Sequence, residues 1–291
     1  MLLLSFLACS VTVDTSDGFP TDSGGDPDTS DTSDTSGDDA LTLANCPMSL
    51  GDDVPAFFND YFRCSDIAVD ATTVQLHTYG LPPHPTAYYT STDPNYEPWD
   101  DRGGEYQQNP NTIATQDTLV WVPLDPVAKG IVITDDMVDG TAGTSTEEYP
   151  GGGVGITPDG VLAFSGLAGP GDDIAEEQYT FDTWNGHPEQ TGVYHHHSPN
   201  PGAMAVAAYN GMVAVELYAV MCDGTVVVGC TELDGTTPTT ADLDAQGGHV
   251  HDIDDTSGVV HFVSRYHTHV CTGVFAEYFP EIQYYSECEV L

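Results

Sequence analysis

The sequence predicts a mainly β fold, a single antiparallel β-sandwich or jelly-roll-like domain with long loops. Three observations lead there. Runs rich in Val, Thr, Ile and Tyr recur between clusters of Gly, Pro, Asn and Asp, the punctuation of strands and turns. The dipeptides Asp159-Gly160, Asn210-Gly211 and Asp223-Gly224 supply the positive φ that tight hairpins need. Helical periodicity is scarce.

Taken in order, residues 1–9 read as an export signal. The apolar run Leu2–Ala8 ends in Ala8-Cys9, the small-residue-then-Cys junction of bacterial lipoprotein signals, and is too short to span a bilayer. The expected outcome is lipid on Cys9 as a membrane anchor and a place in the cell envelope, at the outer membrane or cell surface. Ordinary secretion is the alternative. No basic residue precedes the run, which points to a start upstream. Residues 10–45 form a linker of Asp-Thr-Ser triplets mixed with Gly and Pro, with almost nothing to enter a core.

The β domain follows over 46–291. Strands are expected near Ala68–Tyr79, Thr118–Pro123, Gly130–Thr134, Gly160–Ser165, Val193–His197, Met204–Ala208, Met212–Val220, Thr225–Gly229, Gly258–Ser264 and Tyr266–Cys271. One short helix fits Val54–Tyr61, where Pro55 falls at a tolerated first-turn position. The polar stretch Tyr88–Asn111 reads as a long surface loop. If Cys9 carries lipid, six cysteines remain, an even number that suggests three disulfides in an exported chain. Fifteen connectivities are open. Pairing nearest neighbours along the chain gives Cys46–Cys64, Cys222–Cys230 and Cys271–Cys288.

The charge excludes some partners. The 291 residues carry 46 acids against four bases, a formal −42. Residues 1–45 hold nine Asp and no other charge, so 46 − 9 leaves 37 acids against four bases, or −33, beyond them. Such a surface repels phosphate backbones, which argues against nucleic acid. It attracts divalent cations, and it also suits a saline habitat.

The chemistry lies in histidine. Gly186-His187 precedes Tyr194-His195-His196-His197, and Gly248-His249 precedes Tyr266-His267-Thr268-His269. Together these take seven of the 11 histidines. Residues i and i+2 of a strand share a face, so His195 and His197 can aim at one point, as can His267 and His269. The expectation is that the two pairs converge on a common Zn²⁺ or Cu²⁺ ion, with His187 and His249 as further ligands or hydrogen-bond partners. Asp182, Asp244 and nearby Tyr residues are expected to hold the other imidazole nitrogens. A metal-free hydrogen-bonded network is the competing arrangement. His196 should face away from the pair, at the surface or behind a ligand, and His84, in a proline-rich loop, is an outside candidate. His77, His251 and His261 read as incidental. The acidic stretch His251–Gly258 is a weak calcium candidate that lacks EF-hand spacing and reads better as a hairpin loop.

These residues resemble the YHYH-domain family from about Ala68 onward. Tyr79–Pro85 resembles its early G-hydrophobic-P-x-H segment, and Gly153–Val161 its G-V strand. Phe181–His187 with Tyr194–His197 resembles the naming motif, and Leu243–His249 with Tyr266–His269 a second copy. Glu216–Met221 with Asp223-Gly224 sits where the family has a strand and turn. The third motif position, Tyr in the family name, is His196 and Thr268 here, and Trp184 and Gln246 stand where members often carry Cys. The resemblance implies a fold and a metal site, and no substrate.

No G-x-S-x-G and no H-E-x-x-H is present, and Gly151-Gly152-Gly153 lacks the context of a phosphate loop. Glu176-Glu177 and Glu147-Glu148 are adjacent acids that point in different directions on any regular element. The predicted function is therefore a histidine-rich metal-binding surface protein. A hydrolytic or oxidative metalloenzyme with an open metal position and a metal-free glycan- or polymer-binding module stay as alternatives.

Overall fold

The structure, a computed structural model, describes residues 39–169, 172–212 and 215–291, and the signal and most of the linker lie outside them. Elements run β1 (Ser49–Leu50), α1 (Ala56–Tyr61), β2 (Asp66–Val69), β3 (Thr73–Thr78), β4 (Thr118–Pro123), β5 (Gly153–Ile156) and β6 (Leu162–Phe164). Then come α2 (Ile174–Glu177), β7 (Gly186–Pro188), β8 (Tyr194–His196), α3 (Pro201–Tyr209) and β9 (Leu217–Met221). The chain closes with β10 (Val226–Val228), β11 (Gly248–Asp254), β12 (Val260–His269) and β13 (Glu289–Val290). The fold is mainly β, as its sequence predicts. Its two sheets are mixed, because β1–β2, β6–β8 and β10–β12 pair in parallel.

The smaller sheet has the order β1-β2-β3-β4-β13 and the larger β11-β12-β10-β9-β5-β6-β8-β7. One core draws on both. Ile67, Leu76, Val120 and Val122 of the smaller sheet join Val154, Ile156, Val220 and Val226 of the larger, all at most 2% exposed.

The larger sheet is the same four-strand motif used twice. In each half an antiparallel hairpin (β5–β6 or β9–β10) lays its second strand parallel to the second strand of a Gly-His hairpin (β7–β8 or β11–β12). The halves join through antiparallel β5 and β9, where Ile156 faces Val220, so an approximate two-fold axis relates them. Both inner hairpins turn on Asp-Gly, with Gly160 at φ +79° and Gly224 at φ +96°. These are positions that a side chain would strain.

Several local expectations change. Met204–Ala208 is helical, within α3: Asn200 caps it by accepting from the Ala203 amide, Pro201 opens its first turn, and Gly211 follows its end at φ +77°. An alanine-rich run between a cap and a glycine outweighs one Val and one Met. Asn210-Gly211 therefore ends a helix and closes no hairpin. Gly130–Thr134 forms no strand: Gly130 has φ +74°, Ile133 is buried and Val132 exposed. The stretch expected as a single strand at Ala68–Tyr79 belongs to a hairpin, turned where Asp70 accepts from the Thr72 and Thr73 amides.

The disulfides are Cys46–Cys64, Cys222–Cys288 and Cys230–Cys271. The first matches nearest-neighbour pairing. The other two do not, because β9 and β10 carry Cys222 and Cys230 to opposite ends of a short hairpin.

Candidate metal centres

Each Gly-His hairpin is built around an aspartate, buried in the first repeat and half-buried in the second. In the first repeat Asp182 accepts from the Trp184 and Gly186 amides at 2.8 and 3.2 Å, and from the Tyr194 hydroxyl at 2.8 Å. In the second, Asp244 accepts from the Gln246 and Gly248 amides at 3.1 and 2.8 Å, and from the Tyr266 hydroxyl at 2.7 Å. Each tyrosine lies over the glycine of its Gly-His. A Cβ on Gly186 would collide with the Tyr194 ring, and one on Gly248 with the Tyr266 ring and hydroxyl. The two aspartates and their tyrosines thus fix the hairpin and leave the imidazole nitrogens to other partners, unlike the role expected of them.

Strand register does the rest. His187 pairs with His195, and His249 with His267. His197 and His269 project from the same faces two residues on. Nε2 of His195 stands 3.0 Å from Nε2 of both His187 and His197. Nε2 of His249 stands 2.8 Å from that of His267 and 3.3 Å from that of His269. The result is two triads, one in each half of the sheet. The expected convergence of both repeats on one ion does not occur, because β10, β9, β5 and β6 lie between β12 and β8.

The opposite ring nitrogens settle the tautomers. Nδ1 of His195, His197, His267 and His269 meets the carbonyl oxygens of Val193, Ser165, Arg265 and Gly229 at 2.6–3.1 Å. A carbonyl only accepts, so each Nδ1 carries a hydrogen; in the neutral rings of His195 and His197 each Nε2 is then a bare lone pair, whereas Nε2 of His267 and His269 faces a Glu232 oxygen that can accept a second hydrogen from it. His187 follows the same logic: the Thr180 hydroxyl gives its hydrogen to the Glu177 carbonyl and accepts from Nδ1 at 2.6 Å. In the first triad the Nε2 lone pairs of His187 and His197 therefore each stand 3.0 Å from that of His195 with no hydrogen between them. A cation resolves that repulsion, and the Nδ1 carbonyl partners are those that orient metal-bound imidazoles.

Acids complete the surroundings. Glu232 touches the whole second triad, with Oε1 at 3.0 and 3.1 Å from Nε2 of His249 and His269, and Oε2 at 2.9 Å from Nε2 of His267. Burial pushes this carboxyl up, but its contacts with the three imidazoles outweigh burial and hold it well below the carboxylate range. Glu177 reaches only His187, at 3.5 Å, and its Oε2 is buried without a partner. Burial, then the nearby Asp172, raises it to about 7. Burial holds His187 and His195 well below their ordinary value and His197 at about 4, so the first triad is neutral at pH 7. Phe164 stacks on His195 at 3.7 Å and keeps that wall dry.

The Cys230–Cys271 bridge explains why Glu232 is so firmly held. Cys230 follows Gly229, whose carbonyl anchors His269, and Cys271 lies two residues past His269. Replacing both cysteines by Ser is expected to weaken metal binding at the second centre at least tenfold and leave the first unchanged, measurable by competition with a chromophoric chelator.

The sequence alone marks neither glutamate: Glu177 is one of an adjacent pair, and Glu232 lies in a loop without periodicity. The one available signal was its place two residues after a cysteine at the end of a β-rich run.

The remaining histidines fall outside the triads. His196 does face away from its neighbours, but it is fully buried, its Nδ1 donating to the Asn185 carbonyl at 2.8 Å. His84 stacks on Trp184 at 4.1 Å and also lies near Tyr194, so it joins neither centre. Burial holds it at about 3. Unfolded histidines take up protons below about pH 6.5 while folded His84 does not, so this stability is complete above that pH and is lost as pH falls toward 3. At pH 4.5 His84 alone is expected to cost about 3 kcal/mol. Melting of the apo protein should fall less steeply over that interval for His84→Phe than for the native chain.

His251 is exposed, and the stretch His251–Gly258 spans the end of β11 and the turn to β12, where Asp255 accepts from the Ser257 and Val259 amides. No family model, curated protein or solved structure matches the chain.

Proposed function

We propose that this chain is an exported protein that binds two divalent transition-metal ions, one in each repeat. The ligands are His187, His195 and His197 in one centre, and His249, His267, His269 and Glu232 in the other. The observation that carries this is the first triad's set of converging Nε2 lone pairs, each fixed by a protein acceptor on Nδ1. Imidazole nitrogen with one carboxylate suits Zn²⁺ or Cu²⁺, and it does not suit Ca²⁺, which takes oxygen ligands. Three disulfides support passage through an oxidising compartment. Lipidation at Cys9, tethering the domain to the cell envelope through the Asp-Thr-Ser linker, completes the proposal. Kinship with YHYH-domain proteins rests on the repeats that build the two centres.

Zinc loading followed by elemental analysis tests the metal sites. Two zinc ions per chain are expected, one in His195→Ala, one in His267→Ala and none in the double variant. Equal content in all four proteins would refute the assignment.

A further inference from the structure

The two centres are alike in their histidines and unlike in their fourth position. In the second, Glu232 lies within 3.1 Å of all three Nε2 atoms, so an ion there has three nitrogens and an oxygen, a full tetrahedral set. In the first, Glu177 stands at 3.5 Å from His187 and belongs to no compact group with His195 and His197. The causes are structural. Glu232 is tied down two residues from a disulfide, whereas Glu177 ends the one-turn helix α2 and points from beside the triad.

A cleft of about 370 Å³ opens beside the first triad, lined among others by Asn109, Asp172, Glu176, Thr180 and Gln190, with His187 and Glu177 in its wall. The His187 side chain is only 4% exposed, yet it borders this cleft. The carboxylates and amide oxygens of the lining are acceptors, and among the described residues no Lys or Arg contributes. Such a wall attracts hydrogen-bond donors and repels anions.

We propose that the first centre alone keeps a coordination position open to an exogenous ligand, admitted through this cleft. The ligand class is a small uncharged or cationic molecule carrying hydroxyl or amine donors. The proposal rests on the two-metal reading above. A three-histidine ion with an open position is the arrangement of reactive metal sites, whereas the second centre is filled by protein.

Cobalt(II) is the probe. The loaded full chain is expected to hold two cobalt ions, and titration with imidazole should perturb the visible bands of one, saturating at one imidazole per chain. His267→Ala, which is expected to empty only the closed centre, should hold one cobalt ion and keep this response. Glu232→Ala should open the second centre and raise the response to two per chain. Azide, an anion of similar reach, should bind about tenfold more weakly than imidazole or worse. Two bound cobalt ions that both respond, or that both ignore imidazole, would overturn the inference and leave the two-metal reading standing, as would azide binding as tightly as imidazole. Loading below two per chain would overturn the two-metal reading and this inference with it.

Discussion

Zinc at a thousandfold excess over its dissociation constant is expected to raise the melting temperature of the apo protein by about 15 °C or more, and a chelator to reverse the shift. Binding to the native state alone contributes about 4 kcal/mol per site at that excess, hence about 8 kcal/mol for two sites. For a domain of this size each kcal/mol moves melting by roughly 2–4 °C. Apo-state repulsion between the facing lone pairs of the first triad acts by lowering the dissociation constant, so that this excess is reached at modest zinc. Since the triads are separate, their contributions should add. His195→Ala and His267→Ala are each expected to keep about half the shift, read by calorimetry with and without zinc. A zinc shift that survives intact in the double variant would place the ion elsewhere.

Gly248→Ala is the next largest effect, and it acts without touching a ligand. The added methyl would meet the Tyr266 ring and hydroxyl, which lie against the glycine. To make room, Tyr266 must abandon its hydrogen bond to half-buried Asp244 and its contact with Gln246. Overpacking of a tight site costs about 1–3 kcal/mol, and a half-buried carboxylate that loses its tyrosine partner adds about 1 kcal/mol. The sum is about 2–4 kcal/mol. Because Gly248 precedes His249 and pairs with Thr268 between His267 and His269, the second centre should lose its metal while the first keeps its own. Gly186→Ala should produce the mirror result, since a methyl there meets Tyr194 in the same way. Denaturant unfolding and zinc content of both variants check this.

How much of this was legible beforehand follows from which forces are local. Alternation and turn chemistry are local, so β4 was readable to the residue and the Asp-Gly turns fell where expected. The same locality made His195/His197 and His267/His269 visible as same-face pairs. Their assembly into triads depends on the register of His187 and His249 with them, which the repeated Gly-His already hinted at. Whether the repeats share one centre or hold two depends on strand order, and nothing in Tyr194–His197 or Tyr266–His269 encodes that β5 and β9 join the halves back to back. The same long-range pairing decides the partners of Cys222 and Cys230. Glu177 and Glu232 were illegible for a related reason. Each reaches its triad from a segment whose path is set by tertiary contacts, in one case by a disulfide.

An anomalous difference map from crystals of the zinc-loaded protein tests the central claim most directly. Two peaks of similar height are predicted, one within bonding distance of Nε2 of His187, His195 and His197, the other of His249, His267 and His269 with a Glu232 oxygen. A single ion held jointly by histidines of both repeats, or zinc bound only to surface carboxylates, would contradict it.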